Sequence, residues 1–386
     1  MMKKLALRSL GVLSLLTLSA CSLLNTPPEN DASRVQFEAS SFEALPPSDP
    51  AAWEGALAAL KMNCTRIAAR QGWQSLCQDL AQDDPKDAQA FFQTHFTPYR
   101  VLTKAQKTGL MTGYYEPLLK GSKTRHGPYQ YPLYTPPSDL IIVDLASLYP
   151  QLKGLRLRGK LQGRHLVPYD TRQDIEERSD LPAQVLAWVN DPAEAFFLQI
   201  QGSGRIELED HSLIRVGYAD QNGHPYKAIG KTLIERGALK PNELSMQSIQ
   251  AWARAHPNAL ASVLNTNPSY VFFNERFGDP KLGPIGALGV PLTPESSVAV
   301  DTSIWQLGTP FFINAEQTNP NLHLARPVVA QDTGGAIRGP IRFDFFWGYG
   351  DEAGQQAGRQ KSDVLAWVLV PKSLTPEALL KPKHRP

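Results

Sequence analysis

The chain has 386 residues, of which 42% are apolar and 9% aromatic, enough for two globular domains of ordinary size. Its formal net charge of +2 excludes the extended basic surface that binding to a polyanion such as nucleic acid requires. Abundant Gly and Pro, with a charged fraction of 20%, favour strands and turns over long helices.

The N-terminus has the pattern of a bacterial export signal. Basic residues near the start precede an apolar run from Leu10 to Leu18, and the small pair Ser19-Ala20 leads to Cys21. The run is shorter than the roughly 20 apolar residues that span a bilayer. The residues up to Cys21 resemble a lipobox, which predicts a signal peptide over residues 1–20 and lipid on Cys21. Ser22 in place of Asp favours the outer membrane, facing the periplasm; the alternative is an ordinary cleaved signal followed by a chance cysteine.

The next segment, residues 21–49, is predicted to be a lipidated, flexible tether. It is rich in Pro, Ser, Asn and Glu, and it has little apolar surface to bury. Asp49-Pro50 then has the composition of a helix start, and apolar residues follow at helical spacing from Trp53 to Ile67. A second helix is predicted over Pro85–Phe92, and the two helices would pack together as a small cap.

From residue 110 onward the sequence changes to short apolar runs interrupted by Gly and Pro. Ten of these runs are predicted strands: Leu110–Tyr115, Ile141–Val143, Phe196–Ile200, Ile206–Leu208, Tyr270–Phe273, Ser297–Val300, Pro310–Ile313, Pro327–Ala330, Ile341–Phe346 and Val364–Val370. Three predicted helices lie between them: Thr171–Trp188, Tyr226–Arg236 and Asn242–Ala255. The pattern predicts a mainly β fold, a barrel or a sandwich, with a few peripheral helices.

Motifs for cofactor and metal sites are missing from the sequence. Gly230-Lys231-Thr232 lacks the Gly that a phosphate-binding loop needs five residues earlier, where Pro225 stands. The eight His residues are scattered without a His-Glu-x-x-His pair, so neither a zinc site nor any other cofactor is expected. Cys64 and Cys77 are the cysteines that follow Cys21, and they either form a structural disulfide or stay unpaired.

Three aspartates in the C-terminal third are candidate catalytic residues. Asp301 ends a predicted strand, Asp332 precedes Thr-Gly-Gly, and Asp344 lies within Arg-Phe-Asp-Phe-Phe-Trp. Asp is rare in strands and costly among apolar side chains unless it is paired or hydrated. The aromatic residues at positions 343 and 345–347 would crowd Asp344, and such a setting raises a carboxyl pKa as a general acid requires.

Each of these features also has a purely structural interpretation. Asp332 could nucleate a turn, Asp301 could cap a strand end, and Asp344 could pair with Arg342 on the same strand face. Two further segments, residues 111–117 and 198–204, place aromatic, amide and hydroxyl groups beside Gly, which suits a sugar chain. The alternative for these two segments is a pair of tight β-turns.

Five segments together resemble the membrane-bound lytic murein transglycosylase A family. They are MTGYYEP (111–117), LQIQGSG (198–204), NPSYVFF (267–273), GALGVPLTPESSVAVD (286–301) and QDTGGAIRGPIRFDFFWGYGDEAG (331–354). The resemblance covers nearly everything from Val101 to Val370 in the family's order, and the last block is similar to the family's three-aspartate domain. The N-terminal helices and the tether match only loosely.

The resemblance implies a double-psi β-barrel domain, a second smaller β-barrel-like domain, and a glycan groove between the two. The barrel domain would comprise residues 50–117, which include the N-terminal helices, and residues 272–386. Residues 118–271 would form the inserted second domain.

The resemblance also implies an activity. The family cleaves the β-1,4 bond between N-acetylmuramic acid and N-acetylglucosamine of peptidoglycan and leaves 1,6-anhydromuramic ends. Asp344 aligns with the family's catalytic acid, and Asp332 and Asp301 match its supporting aspartates. The residues expected to bind the glycan are Thr112, Gly113, Tyr114, Tyr115, Gln201, Gly202, Ser203, Gly204, Gly334, Gly335 and Trp347. Peptidoglycan strands, and the membrane through the lipid, are the expected partners.

One carboxyl group is chemically sufficient for such a reaction. Ordinary glycosidases use two carboxylates, but the C6 hydroxyl of muramic acid can itself attack C1 intramolecularly. Asp344 would protonate the leaving oxygen and then accept the hydroxyl proton. Two alternatives remain open: a hydrolase that uses Asp332 and Asp344 as a pair, and a non-catalytic lipoprotein that binds murein.

Overall fold

The computed structural model describes residues 35–82, 85–104, 106–152, 155, 157–279, 281–318 and 321–382. Its strands are β1 (Val35–Ala39), β2 (Phe96–Thr103), β3 (Gly109–Glu116), β4 (Leu118–Ser122), β5 (Tyr131–Tyr134), β6 (Ile141–Ile142), β7 (Arg158–Gln162), β8 (His165–Pro168), β9 (Val185–Val189), β10 (Ser203–Leu208), β11 (Leu213–Gln221), β12 (Val271–Glu275), β13 (Ser297–Ala299), β14 (Pro310–Thr318), β15 (Asn321–Asp332), β16 (Arg342–Tyr349) and β17 (Lys361–Pro371). Its helices are α1 (Pro50–Ile67), α2 (Gln74–Gln82), α3 (Ala88–His95), α4 (Arg172–Glu177), α5 (Pro192–Gln201), α6 (Ile229–Glu235), α7 (Met246–Ala255), α8 (Pro257–Leu264) and α9 (Gly350–Arg359). The predicted signal peptide and the lipidation of Cys21 lie outside the described residues.

Six of the strands close into a barrel in the order β17, β14, β15, β13, β16 and β3, with β3 returning to β17. The β13–β15 and β16–β3 pairs are parallel, and the other pairs around the ring are antiparallel. Beyond β17, β2 and then β1 extend the sheet. The predicted mainly β fold with a barrel is confirmed, whereas the double-psi connectivity stays a prediction.

Helix α1 packs against the barrel. It begins as its sequence predicts, because the Asp49 side chain accepts a hydrogen bond from the Ala51 N–H and Pro50 occupies the first turn. The Trp53 ring contacts the rings of Phe92 and Phe312, which joins α1 to α3 and β14. No helix within the described ranges is both long and apolar enough to cross a membrane.

Part of the predicted tether is folded. Strand β1 pairs with β2 over five positions, from Val35 opposite Thr103 to Ala39 opposite Tyr99. The Phe37 ring lies 6.2 Å from the Trp305 ring, measured between centroids. The prediction of a flexible tether over residues 21–49 is therefore wrong for residues 35–49, since alternate apolar side chains of β1 pack against the barrel core.

Cys64 and Cys77 form a disulfide that joins α1 to α2. Cys77 is buried, and it belongs to the same apolar cluster as Leu60, Ile67 and Leu76. Of the two possibilities that the sequence leaves open, the structure has the paired one.

A second sheet has the strand order β12, β11, β10, β4, β9 and β5. The chain enters it from the barrel through Pro117, between β3 and β4. Strand β12 also contacts β5 from the opposite edge, so the sheet curls on itself. Strands β6, β7 and β8 form a small separate sheet. A second, smaller β unit is thus present, and the exact residues of the predicted domain boundaries stay a prediction.

Two predicted elements have the wrong type. The predicted strand Phe196–Ile200 lies within helix α5, which starts at Asp191-Pro192 with the Asp191 side chain accepting from the Ala193 and Glu194 N–H groups. The predicted helix Thr171–Trp188 is helical only over α4, and β9 follows; Pro182 lies between them, where it keeps the backbone of Leu181 from being helical.

Candidate active site

Asp344 lies on the face of β16 that points away from the barrel core. Parallel pairing places it beside Thr112 of β3, and Phe346 beside Tyr114. The rings of Phe346 and Tyr114 lie 5.2 Å apart between centroids on this face. Successive side chains of a strand point to opposite faces, so Phe343 and Phe345 are buried in the core instead. The prediction that all four neighbouring aromatic residues crowd Asp344 is therefore wrong.

A hydrogen-bond relay holds the Asp344 carboxyl group. The Thr112 hydroxyl donates to Asp344 Oδ1 at 2.5 Å. Arg342 Nη2 in turn donates to the oxygen of the same hydroxyl at 2.9 Å. Arg342 is thus joined to Asp344 through the Thr112 hydroxyl, and the direct salt bridge between the two that the sequence left open is not formed.

The setting of Asp344 suits a general acid. Burial raises the pKa of its carboxyl group to about 6, against the opposing effects of the Thr112 hydrogen bond and the Arg342 charge. The nearby Asp332 carboxylate raises that pKa further. A carboxyl group with such a pKa is substantially protonated in mildly acidic solution and can also act as a base after giving up its proton.

Asp332 lies near Asp344 across strand β13. Ala299 of β13 pairs with Asp332 on one side and with Asp344 on the other, so about two strand spacings, roughly 10 Å, separate the two backbones. Both oxygens of Asp332 accept hydrogen bonds at 3.0 Å, one from the Tyr114 hydroxyl and one from the Ala287 N–H. Burial raises the pKa of Asp332, and burial followed by the two carboxylates raises the pKa of Tyr114 well above its ordinary value.

Asp301 is completely buried. It accepts hydrogen bonds from the backbone N–H and hydroxyl of Ser303 and from the Gly339 N–H. These bonds fix the end of the loop that carries Gly334 and Gly335, which begins with Thr333 directly after Asp332. Asp301 therefore supports the loop rather than facing a ligand.

The segment that contains Gln201, Gly202, Ser203 and Gly204 joins the second sheet to β3. Gln201 Oε1 accepts from the backbone N–H of Tyr115 at 3.2 Å. Gly202 ends α5 with a φ of 78°, a conformation that favours Gly. A Cβ on Gly204 would lie 3.1 Å from the Pro117 carbonyl oxygen, so backbone packing explains this residue. Ser203 is half-buried at the start of β10 and remains available to a ligand.

Gly113, Tyr115 and Trp347 lie on the opposite face of the β3–β16 pair from Asp344. Trp347 Nε1 donates to Gln360 Oε1 at 2.8 Å, and a Cβ on Gly113 would lie 2.7 Å from that indole nitrogen. Tyr115 is buried against α9, and a Cβ on Gly354 would come within 2.8 Å of its ring. The structure does not bring these three residues together with the acid, and their role in glycan binding stays a prediction.

Sequence reasoning missed two contributors to this site. The first is the Arg342–Thr112 relay, for which the only signal was the shared strand face of Arg342 and Asp344. The second is the Ala287 N–H. Its loop belongs to one of the segments that carry the family resemblance. Every residue except Pro has a backbone N–H, however, so the residue type gives no signal for this donor.

Replacing Thr112 by Val should move the pH dependence of activity. Because the Thr112 hydroxyl lowers the pKa of Asp344, its removal raises that pKa, and the protonated acid persists to higher pH. We expect the alkaline limb of kcat/KM against pH to shift upward from about 6, and kcat/KM at the optimum to fall about tenfold through loss of a hydrogen bond to a charged group. Thr112→Ser keeps the hydroxyl and should retain the wild-type profile. An unmoved alkaline limb in Thr112→Val would contradict the relay.

Comparison with known proteins agrees with this geometry. A family model described as the MltA specific insert domain matches residues 110–274, and a 3D domain model matches residues 296–370. Membrane-bound lytic murein transglycosylase A of Escherichia coli (strain K12) is 36% identical over 267 residues, which cover 67% of this chain and 64% of that relative. The chain thus matches slightly less than two thirds of that curated relative's length.

Solved structures give a wider match. The crystal structure of MltA from Neisseria gonorrhoeae in its monoclinic form is 36% identical, with a TM-score of 0.79, and the match covers 90% of this chain and 95% of that one. Escherichia coli MltA with bound chitohexaose is 27% identical, with a TM-score of 0.66 and coverage of 87% and 94%. With a relative 36% identical over 67% of this chain, and with a solved structure that matches 90% of it, the chain belongs to the membrane-bound lytic murein transglycosylase A family.

Proposed function

We propose that this protein is a peptidoglycan lytic transglycosylase. It cleaves the β-1,4 bond between N-acetylmuramic acid and N-acetylglucosamine and leaves 1,6-anhydromuramic ends. The observation that carries the proposal is a single half-buried carboxyl group, Asp344, with a pKa raised to about 6 and a hydroxyl donor 2.5 Å away.

In the first step Asp344 gives its proton to the glycosidic oxygen as the bond from that oxygen to C1 breaks. The C6 hydroxyl of the muramic acid then attacks C1, and the Asp344 carboxylate accepts the hydroxyl proton. The acid is thereby returned to its starting state. No water enters, and the product sugar carries a new bond between C1 and O6.

Thr112 and Arg342 support this cycle by stabilising the carboxylate that exists between the two proton transfers. The hydrogen bond from Thr112 is stronger when Asp344 is charged, and the guanidinium polarises that hydroxyl further. Asp332 is a poor candidate for a second acid or base because both of its oxygens already accept hydrogen bonds. This arrangement favours one-acid chemistry over a two-carboxylate hydrolase.

The substrate is proposed to lie over the face that Asp344 shares with Thr112 and Tyr114. Ser203 at the start of β10 and the exposed Gly335 beyond β15 are proposed to contact the glycan as well. The structure of the related Escherichia coli MltA has chitohexaose bound. Like the glycan of peptidoglycan, chitohexaose is a chain that contains N-acetylglucosamine.

We further propose that lipid on Cys21 holds the protein at the outer membrane, facing the periplasm. The disulfide between Cys64 and Cys77 supports export, since disulfides persist in oxidising compartments. Peptidoglycan strands would then be the partner within reach, and murein turnover the process served.

The end group of the product tests the proposed reaction. Purified peptidoglycan digested with the protein should give soluble fragments that are lighter by one water than hydrolytic fragments, as mass spectrometry can measure. Reducing ends of ordinary mass would instead identify a hydrolase. If no soluble fragment formed although the protein bound peptidoglycan, the protein would be a non-catalytic binder.

A further inference from the structure

A buried ion pair lies where the chain leaves the barrel. Glu116 is the last residue of β3, and Arg205 lies in β10 of the second sheet. Arg205 Nε and Glu116 Oε2 are 2.8 Å apart, with the two side chains only 5% and 1% exposed. Removing two charges from water is unfavourable, and the attraction between them offsets this desolvation free energy only when their geometry is well fixed. Such a pair therefore indicates a constraint on how the two sheets meet.

Arg205 makes further contacts that reach the strands of the site. Its Cζ lies 4.1 Å from the centroid of the Tyr349 ring, at the end of β16. Its Nη2 donates to the Leu282 carbonyl at 3.2 Å. One guanidinium thus contacts the ends of both strands that carry Thr112 and Asp344, and also the loop after β12.

The loop from Leu282 to Ala287 continues the connection to the acids. Arg215, also in the second sheet, donates to the Leu282 carbonyl at 2.9 Å and to the Gly283 carbonyl at 2.8 Å. At the other end of the loop the Ala287 N–H donates to Asp332. The second sheet therefore holds the start of the loop, while Asp332 binds its end.

We propose that Arg205, together with Glu116, is a positioning residue that fixes the second sheet and the Leu282–Ala287 loop against the β3–β16 pair. The inference rests on the proposed transglycosylase function, because the geometry that it fixes is the one in which Asp344 meets the glycan. Arg205 contacts no reacting atom. It acts through Tyr349, Glu116 and the loop.

Two variants test this role. The double variant Glu116→Gln, Arg205→Met removes both charges and so leaves no unpaired ion in the interior. We expect it to remain folded by circular dichroism and to release 1,6-anhydro products with a kcat/KM about 10²-fold lower, because small misplacements of a catalytic group have effects of this size. Arg205→Lys keeps the charge but lacks the planar guanidinium that bonds Glu116 and the Leu282 carbonyl at once, and should give an intermediate loss. The alkaline limb of kcat/KM against pH, which reports the pKa of Asp344, should not move in either variant.

Arg158→Met is the control for a general loss of stability, because it leaves the Asp220 carboxylate without its arginine partner. It breaks another poorly exposed ion pair, between Arg158 Nε and Asp220 Oδ1 at 2.9 Å, which lies away from the barrel strands. This variant should lower the unfolding temperature while kcat/KM of the folded protein stays within about twofold of wild type. A folded double variant with wild-type kcat/KM, or an equal loss in Arg158→Met, would overturn the positioning role.

A binding measurement separates this inference from the proposed reaction. If the wild-type protein itself releases no 1,6-anhydro product, the proposed function fails. The dissociation constant for chitohexaose then tests the positioning role of Arg205 and Glu116 by itself. We expect the double variant to bind chitohexaose at least tenfold more weakly than Arg158→Met does. Equal binding in the two would refute the positioning role.

Discussion

Asp344→Asn should reduce turnover of peptidoglycan by about 10³ to 10⁴-fold, at the upper end of what one general acid–base residue contributes. In the proposed reaction the same carboxyl group serves both proton transfers, so the amide would lose both. Asn has nearly the same shape and can still accept a hydrogen bond from Thr112. Glycan binding should therefore stay within a few-fold of wild type, as titration with chitohexaose can measure.

Asp363→Asn is a suitable control for this experiment. Asp363 is an exposed aspartate on β17, another strand of the same barrel. Its replacement should leave turnover unchanged. Turnover near the wild-type rate in Asp344→Asn would show that Asp344 is not the general acid. Asp332 would then be the next carboxyl group to replace.

Replacing Cys64 and Cys77 by Ser should lower the free energy of unfolding by about 3 kcal/mol. The disulfide closes a loop between cysteines 13 positions apart, and its loss frees the unfolded chain more than the folded one. Denaturant unfolding monitored by circular dichroism measures the difference.

Wild-type protein treated with a reducing agent should lose a similar amount of stability, which separates the disulfide from the effect of the serine side chains. Turnover of the folded variant should be unchanged, since neither cysteine touches the site. A variant as stable as wild type would mean that the packing of α1 and α2 alone holds these helices.

The residues of the candidate site could be named from the sequence largely because a long C-terminal block resembles a known family. That block identified Asp344, and MTGYYEP identified Thr112 and Tyr114, which lie beside it. Local rules also worked where the signal was local, as at the Asp49-Pro50 helix start. The same rule, applied at Asp191-Pro192, would have predicted α5 correctly.

The features that were missed depend on which face of a strand a side chain occupies and on contacts distant in the sequence. Trp347 and Asp344 are only three positions apart, yet alternation places them on opposite faces. The pair Glu116–Arg205 joins positions 89 residues apart, and the Ala287 donor belongs to the backbone. Strand alternation could have separated Trp347 from Asp344, whereas the other two relations leave no pattern within a short window of sequence.

The pairing of β1 with β2 limits how far the enzyme could work from its proposed anchor. Val35, where the paired strand begins, is only fourteen positions after Cys21. Even a fully stretched chain of that length spans at most roughly 50 Å. Murein that lies beyond this distance plus the width of the barrel could not be reached. The spacing between the outer membrane and the cell wall would then itself decide how much cutting occurs, and a longer segment before Val35 should extend cutting to more distant strands.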